Sequence, residues 1–166
     1  MQMKNQKAFT MLELTFVIVV IGILSAIAIP RFADTADSAY TVKAQTTLTT
    51  VRSALATERQ RRILRGDFSA ITDLSLDAAG AATTNIFDHF SGDGQAPTVY
   101  TSIFDYPVRA CTGAQRACWV KVGALGYTYR FPDANTGADG QADFTLTNNR
   151  LDCTAADAAD CVIITR

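Results

Sequence analysis

Histidine and charge are scarce in this chain of 166 residues. His89 is the only histidine, and charged side chains make up 19 % of the residues. A Ser-His or Cys-His catalytic arrangement would have to use that single histidine. The sequence also lacks a Gly-x-Ser-x-Gly, phosphate-loop or dinucleotide-binding motif. We therefore expect a protein that is not an enzyme, and we interpret His89 as a packed or surface residue.

A strong net charge of one sign is also missing, since the formal charge is −1. This balance indicates neither a general nucleic-acid binder nor a binder of anionic membranes. The densest basic run is Arg59-Gln60-Arg61-Arg62 with Arg65 beyond it. Glu58 lies one helical turn before Arg62, and no aromatic residues alternate with the arginines. A solvated or intersubunit face is the favoured reading of this run, and DNA binding is the alternative.

Uninterrupted apolar sequence, in contrast, is abundant near the start of the chain. The block from Phe9 to Ile29 contains 21 residues, of which Glu13 is the only charged one. A helix of that length is roughly 31 Å long, which matches the hydrocarbon core of a bilayer. A carboxylate inside such a helix costs roughly 2.5–3.5 kcal/mol near the middle and less near an end. Glu13 therefore indicates a positively charged partner, either on another chain or on a new terminal amine.

The flanks of the apolar block indicate its orientation. Lys4 and Lys7 precede it without an acidic neighbour, which predicts a cytoplasmic start and export of everything after Pro30. An ordinary secretory signal peptide, cut after Ala28, is the alternative. The block is longer than most signal-peptide cores, and Glu13 is poorly placed for one. Terminal sequencing tests the alternative, because an ordinary signal peptide predicts a mature chain that begins at Ile29.

The residues Phe9-Thr10-Met11-Leu12-Glu13-Leu14, followed by Gly22 and Ile29-Pro30, resemble the N-terminus of type IV pilins and type II secretion pseudopilins. The resemblance implies that a prepilin peptidase cuts between Ala8 and Phe9 and that the new terminus is methylated. Ala8 departs from the glycine that the family normally has before the cut. The resemblance further implies that Glu13 pairs with a neighbouring subunit's terminal amine during filament assembly, for which Gly22 and Pro30 are further candidate residues.

The segments that this resemblance implies are a cytoplasmic leader at 1–8, a transmembrane half-helix at 9–29, a periplasmic half-helix at 30–66 and a globular head at 67–166. The expected partners are further copies in a filament, the prepilin peptidase, an inner-membrane assembly platform and, before assembly, membrane lipid. The expected location is the inner membrane and then a pilus or pseudopilus. A membrane-anchored periplasmic binding module that does not polymerise is the alternative function.

Helical periodicity resumes after Pro30, where we expect a kink or a melted turn. Apolar residues recur at spacings of three and four, and Gly66 is well placed to end the helix. The sequence thus predicts one long helix over residues 10–65. The stripe contains Phe32, Ala36, Tyr40, Ala44, Leu48, Val51 and Leu55.

The later part of the chain reads as strands rich in aromatic and β-branched residues. Short helical turns are expected before them, at 70–74 and 86–90. Closely spaced strands without helices between them predict an antiparallel sheet, which the helical stripe covers on one face. The expected fold is α+β and pilin-like, with a long N-terminal helical spine packed on a small antiparallel sheet. The predicted strands cover 118–122, 126–131, 142–147 and 161–165.

All four cysteines follow the apolar block, so an oxidising compartment favours disulfides. Sequence alone allows three pairings, and easy closure of local loops favours Cys111–Cys118 and Cys153–Cys161. Catalytic thiols are the alternative. The spacings are too wide for a zinc knuckle, and no cofactor is expected with the exception of a calcium candidate.

The calcium candidate is a loop with alternating oxygen-bearing side chains. It lacks the late bidentate glutamate of an EF-hand, and a polar hairpin turn without a metal explains the same composition. Its candidate ligands are Asp133, Asn135, Asp139 and Asp143.

Overall fold

The computed structural model describes residues 9–75, 85–90, 102–132, 140–154 and 158–165. The chain divides into two compact units, Met1–Ser38 and Ala39–Arg166, and the first helix contributes to both. In chain order the elements are α1 (Met11–Leu64), β1 (Asn85–Ile86), β2 (Val108–Arg109), β3 (Cys118–Val122), β4 (Gly126–Arg130), β5 (Gln141–Thr147), β6 (Arg150–Cys153) and α2 (Ala158–Thr165).

The long first helix is continuous from Met11 to Leu64, close to the predicted bounds. It remains helical through Pro30, so no melted turn interrupts it there. It ends in a Schellman motif, in which Gly66 has a φ of 78°. The amide of Asp67 donates to the Arg62 carbonyl at 2.9 Å, and that of Gly66 donates to the Ile63 carbonyl at 3.0 Å. Glycine adopts this left-handed conformation without strain, which explains the predicted stop.

The buried stripe of α1 starts later and ends later than the sequence predicts. Ala44, Leu48, Val51 and Leu55 are buried as expected, but Phe32 and Tyr40 are exposed, at 73 % and 44 %. The stripe continues instead through two charged residues, Glu58 and Arg62, which are buried at the same spacing. The apolar pattern missed them because it counts only apolar side chains as core residues.

Four antiparallel strands form the main sheet, in the order β3-β4-β5-β6. The β3–β4 turn closes at Val122 opposite Gly126. A Cβ atom on Gly126 would lie 2.3 Å from the Val122 carbonyl oxygen, so the turn requires glycine there. The three predicted strands at 118–122, 126–131 and 142–147 correspond to β3, β4 and β5.

Strand β6 was missed by sequence analysis, although its turn carries a signal. Asn148 and Asn149 have φ values of 51° and 60° and connect Thr147 to Arg150 as a two-residue hairpin loop. Consecutive left-handed residues of this kind are typical of type I′ turns, and asparagine tolerates the conformation better than most residues do.

Two expected helical turns are absent from the described residues. Residues 70–73 have no regular structure, and the segment at 85–86 is strand β1, which pairs antiparallel with β2. Ile86, Phe87 and Phe90 are buried in the core, and Phe87 stacks on Tyr127 with ring centroids 5.1 Å apart. Burial against the sheet, rather than helical propensity, therefore determines this segment.

The predicted strand at 161–165 is wrong, because Ala158–Thr165 forms helix α2. Cys161 and Ile164 are buried at helical spacing while Val162 between them is 42 % exposed. The run of β-branched residues suggested a strand, but the contacts favour a helix, and Gln45 Nε2 donates to the Ile163 carbonyl at 2.8 Å.

The core of the second unit joins α1 to the main sheet. Trp119, Tyr127, Tyr129 and Phe144 from the sheet are buried together with the stripe of α1. Tyr129 Oη donates to the Tyr40 carbonyl at 3.0 Å, which bonds strand β4 to the helix. The predicted α+β fold, with a long N-terminal helix and a small antiparallel sheet, is confirmed.

Candidate functional site

The helix of the first unit begins at a side-chain cap. The amide of Glu13 donates to Thr10 Oγ1 at 3.3 Å and to the Thr10 carbonyl at 3.1 Å. Thr10 and Glu13 have the Thr-x-x-Glu spacing of a capping box, a signal that sequence analysis missed. A carboxylate in the first turn of a helix is favoured by roughly 0.3–1 kcal/mol. Part of the reason for a glutamate at this position is therefore local.

The first unit presents an apolar surface whose large side chains are exposed in the described part of the chain. Phe9 and Leu12 are both 80 % exposed, and Ile29 is 68 % exposed. A Cβ atom placed on Gly22 would have no atom within 4 Å. Over the described residues, α1 is the one helix long and apolar enough to cross a membrane. The arrangement provides a largely apolar helical surface whose first turn carries one carboxylate.

The structure places most of the predicted assembly residues on this one element. Phe9 precedes the helix, and Glu13, Gly22 and Pro30 lie within it. Ala8, before the expected cut, lies outside the described residues.

Both favoured disulfides are present. Cys111 is joined to Cys118 and Cys153 to Cys161, with Cα atoms 5.4 and 6.0 Å apart. No free cysteine remains, so the alternative of catalytic thiols has no thiol to use. The first bond closes the loop that precedes β3, and the second joins β6 to α2.

The calcium candidate stays a prediction. Asp133, Asn135 and Asp139 lie outside the described residues. Asp143 lies on β5, where its Oδ1 accepts a hydrogen bond from the Thr128 hydroxyl on the neighbouring strand. Within the described part of the chain, no three His, Cys, Asp or Glu residues are grouped as a metal site. Heat denaturation with and without a chelator tests the prediction.

The arginine run does not form one solvated face. Arg62 is completely buried, and its Nε donates to Glu58 Oε1 at 2.9 Å. Arg61 also pairs with Glu58 but remains half exposed, and Arg59 donates to the Ser69 carbonyl at 3.1 Å. Spacing alone predicted the Glu58–Arg62 pair, but it could not show that the pair is buried. The arginines thus act largely within the second unit.

A buried polar network on the sheet was not predicted. Lys121 is 4 % exposed, and its Nζ pairs with Asp73 Oδ2, while Tyr127 Oη donates to Asp73 Oδ1 at 2.7 Å. Burial, and secondarily the Asp73 carboxylate, raises the pKa of Tyr127 well above its usual value. Strand alternation gave a signal for Lys121, because it shares the inward face of β3 with Trp119.

His89 is packed, in agreement with one of the two expectations. It is 4 % exposed, and its Nδ1 lies 3.3 Å from Asp88 Oδ1. An isolated β-bridge joins it to Ser102. The bridge joins the segment that follows β1 to the segment that precedes β2.

Comparisons with known proteins agree with the N-terminal motif. Residues 3–29 match the family model for the prokaryotic N-terminal methylation motif. The chain is 54 % identical over 50 residues to a type IV narrow pilus major component of Thermus thermophilus, covering 30 % of this chain and 43 % of that protein. It is 46 % identical over 105 residues to a fimbrial protein of Pseudomonas aeruginosa, covering 54 % of this chain and 65 % of the relative.

A third relative is a fimbrial protein of Moraxella nonliquefaciens, 41 % identical over 58 residues, which cover 35 % of this chain and 38 % of that protein. The chain thus spans between about two fifths and just under two thirds of the length of these relatives. No solved structure matches the chain significantly. The chain thus carries the prokaryotic N-terminal methylation motif at the start of a long helix, and it is similar in sequence to type IV pilus and fimbrial proteins.

Proposed function

We propose that this protein is a structural subunit of a type IV pilus-like filament, assembled through the apolar helix of its first unit. The observation that carries the proposal is the exposed apolar surface from Phe9 to Ile29 with Glu13 as its only charged residue. In the membrane this surface contacts lipid, and in a filament it contacts the same surface of other copies. The relatives named as pilus or fimbrial proteins support a pilus rather than a secretion pseudopilus.

The first step of the proposed assembly is processing. A prepilin peptidase cuts between Ala8 and Phe9, which removes Lys4 and Lys7 and changes the formal charge from −1 to −3. The new Phe9 amine is then methylated. The match of residues 3–29 to the methylation motif supports this step, as does the position of Phe9 just before the helix.

In the second step the Glu13 carboxylate pairs with an opposite charge. Inside a filament of apolar helices this carboxylate would be desolvated, and an unpaired buried charge is strongly unfavourable. The terminal amine of a neighbouring copy provides the opposite charge. Before assembly the helix spans the inner membrane with the second unit in the periplasm, and an assembly platform extracts it into the filament.

Substitution of Glu13 tests the proposal while separating its charge from its role as a first-turn residue. Glu13→Gln keeps a side chain suited to the capping box but removes the charge, and Glu13→Ala removes both. Thr10→Ala is the control, since it weakens the cap and keeps the charge. We expect both Glu13 variants to insert in the membrane and to lose filaments, and Thr10→Ala to assemble. Filaments of normal yield from Glu13→Gln would contradict the pairing.

Purification and terminal sequencing provide the second test. Shearing should release fibres whose subunits begin at methylated Phe9. A protein that stays in the membrane and never forms fibres with the pilus machinery present would instead support the anchored binding module. Subunits that begin at Ile29 would support an ordinary signal peptide.

A further inference from the structure

A groove lies on one flank of the second unit, between α1 and the β5–β6 hairpin, and has a volume of about 1000 Å³. We call it the α1–β6 groove. Its walls are held by hydrogen bonds, because Arg52 Nε donates to the Leu151 carbonyl at 2.9 Å and Ile71 N donates to Asn149 Oδ1 at 2.7 Å. Arg59 donates to the Ser69 carbonyl at 3.1 Å. Because these bonds already fix the groove, little conformational entropy is lost in ordering it when a ligand binds.

The lining of the groove is basic with exposed apolar side chains. Among the described residues that line it are Arg52, Arg59 and Arg150, and one carboxylate, that of Asp152. Asp152 lies between two of them, 3.7 Å from Arg52 and 3.4 Å from Arg150. The apolar part comprises Ile63 and Phe68, which are 44 % and 71 % exposed. The chemistry that fits is therefore an aromatic side chain next to a carboxylate.

The same chain presents that chemistry on a short loop before β2. Tyr106 is 88 % exposed, and the neighbouring Asp105 is also exposed. Over the described residues, no ion pair engages the Asp105 carboxylate. Aromatic residues are the side chains that most often anchor protein interfaces. We call these two residues the Asp105–Tyr106 tip.

The groove and the tip lie on opposite flanks of the second unit. At about 100° per residue, the groove residues of α1 point about 90° to one side of its buried stripe. Lys43 and Thr47, which line a cleft with Pro107 next to the tip, point about 80° to the other side. The sheet agrees, because that cleft includes Trp119 of edge strand β3 while the groove includes β6 at the other edge.

We propose that the Asp105–Tyr106 tip of one copy docks in the α1–β6 groove of the next copy. Tyr106 contacts Ile63 and Phe68, and the Asp105 carboxylate pairs with the arginines of the groove. Complementary patches on opposite flanks make a head-to-tail contact, which generates an open helical assembly when it does not close into a ring. The inference rests on the proposed filament and assigns a contact between its globular parts.

The expected contact is small. Two side chains in one groove bury much less than the roughly 800 Å² per partner of a stable protein interface. We therefore expect the contact to strengthen filaments already joined by their N-terminal helices and not to hold copies together alone. The test must accordingly use the full chain in assembled filaments.

Cysteine cross-linking tests the proximity directly. The native cysteines are all in disulfides, so only introduced thiols react with a maleimide. A chain with both Tyr106→Cys and Phe68→Cys, treated with a short bismaleimide in sheared filaments, should give a ladder of covalent oligomers. The control pairs Phe68→Cys with Ala124→Cys, which lies in the exposed β3–β4 turn outside both surfaces. Ladders of equal strength from both pairs would overturn the proposal.

Charge exchange tests the pairing. Asp105→Arg and Arg150→Asp should each lower the yield of sheared filaments about fivefold, as expected for one exposed ion pair. The double variant should recover most of the yield, because the charges are exchanged. Ala124→Arg and Ala124→Asp add the same charges in the β3–β4 turn and should leave the yield unchanged. Trp119 fluorescence verifies that each variant folds.

The outcomes separate this inference from the proposed function. The docking is overturned, and the filament is not, if the wild-type chain forms filaments while two results are absent. These are a ladder from the chain with Tyr106→Cys and Phe68→Cys, and recovery of the yield in the charge-exchanged double variant. A wild-type chain that forms no filaments with the pilus machinery would overturn both. Cross-linking of Tyr106→Cys to a different protein in place of a ladder would also overturn the docking between copies.

Discussion

Glu58 Oε1 accepts a hydrogen bond from Arg62 Nε at 2.9 Å, and both side chains are buried where α1 meets the core. Arg61 and Arg65 approach the same carboxylate from the surface. One buried anion therefore organises the last two turns of α1, directly before the Schellman motif that ends the helix.

Removal of the buried carboxylate should be strongly destabilising. Glu58→Ala leaves the guanidinium of Arg62 in the core without this counter-charge, so we expect a loss of about 3–5 kcal/mol in unfolding free energy. A double variant with Glu58→Leu and Arg62→Met should cost much less than the single change, because no charge remains buried. Denaturant unfolding of the detergent-solubilised chain, followed by Trp119 fluorescence, measures both.

Arg65→Ala is the control for this pair. Arg65 Nη2 lies 3.9 Å from Glu58, and its side chain is 47 % exposed. Its loss should change the unfolding free energy by less than about 1 kcal/mol. If Glu58→Ala costs no more than Arg65→Ala, the Glu58 carboxylate is not the counter-charge that stabilises buried Arg62.

The Lys121–Asp73 pair gives a second prediction. Asp73→Ala takes the carboxylate from a buried ammonium, and we expect it to cost about 3 kcal/mol or more. Lys121→Met leaves Asp73 hydrogen-bonded to the hydroxyl of Tyr127 and to the amides of Leu74 and Ser75, so a loss of about 1–3 kcal/mol is expected. A double-mutant cycle should give a coupling of about 0.5–3 kcal/mol. Additive losses would show that the two side chains do not interact.

Alkaline pH should destabilise the second unit through its buried tyrosines. Burial raises the pKa of Tyr129 to about 12, above its ordinary value of 10.0. The folded chain therefore holds a proton that the unfolded chain releases between these values. The contribution of Tyr129 to the unfolding free energy is complete below about pH 10 and is lost as pH rises towards 12, by at most about 1.4 kcal/mol per pH unit.

Tyr129→Phe should reduce that slope, because phenylalanine has no proton to lose. A residual decline should remain, since the pKa of Tyr127 is raised in the same direction. Tyr106→Phe is the matched control, because Tyr106 is 88 % exposed and should leave the pH profile unchanged. Unfolding free energies measured from pH 8 to 11.5 test the prediction, and a flat wild-type profile would contradict it.

Sequence analysis predicted the elements whose signals are local. The apolar block, the Gly66 stop and the strands around Trp119, Tyr127 and Phe144 follow from periodicity and turn residues, and the structure contains all of them. Loop length similarly favoured the two disulfides that are present.

The missed features depend on contacts between distant parts of the chain. Residues 161–165 have strand-like composition but form α2, which packs with Cys161 and Ile164 against the core. The burial of Arg62, and of Lys121 beside Asp73, follows from partners that only the folded chain provides. Two of the missed features nevertheless have local signals in the sequence, Asn148-Asn149 for a hairpin turn and Thr10-x-x-Glu13 for a helix cap.

The disulfide between Cys153 and Cys161 should specifically stabilise α2. A loop of this length is expected to contribute about 2–4 kcal/mol, and the bond joins β6 to a helix otherwise held by burial and by the Gln45–Ile163 hydrogen bond. Replacement of both cysteines by serine should therefore accelerate hydrogen exchange in α2 more than in β4. Serine at Cys111 and Cys118 is the matched control, because it removes a loop of similar length without touching α2. Equal acceleration of α2 exchange in both variants would show that the bond acts on the whole unit and not on the helix.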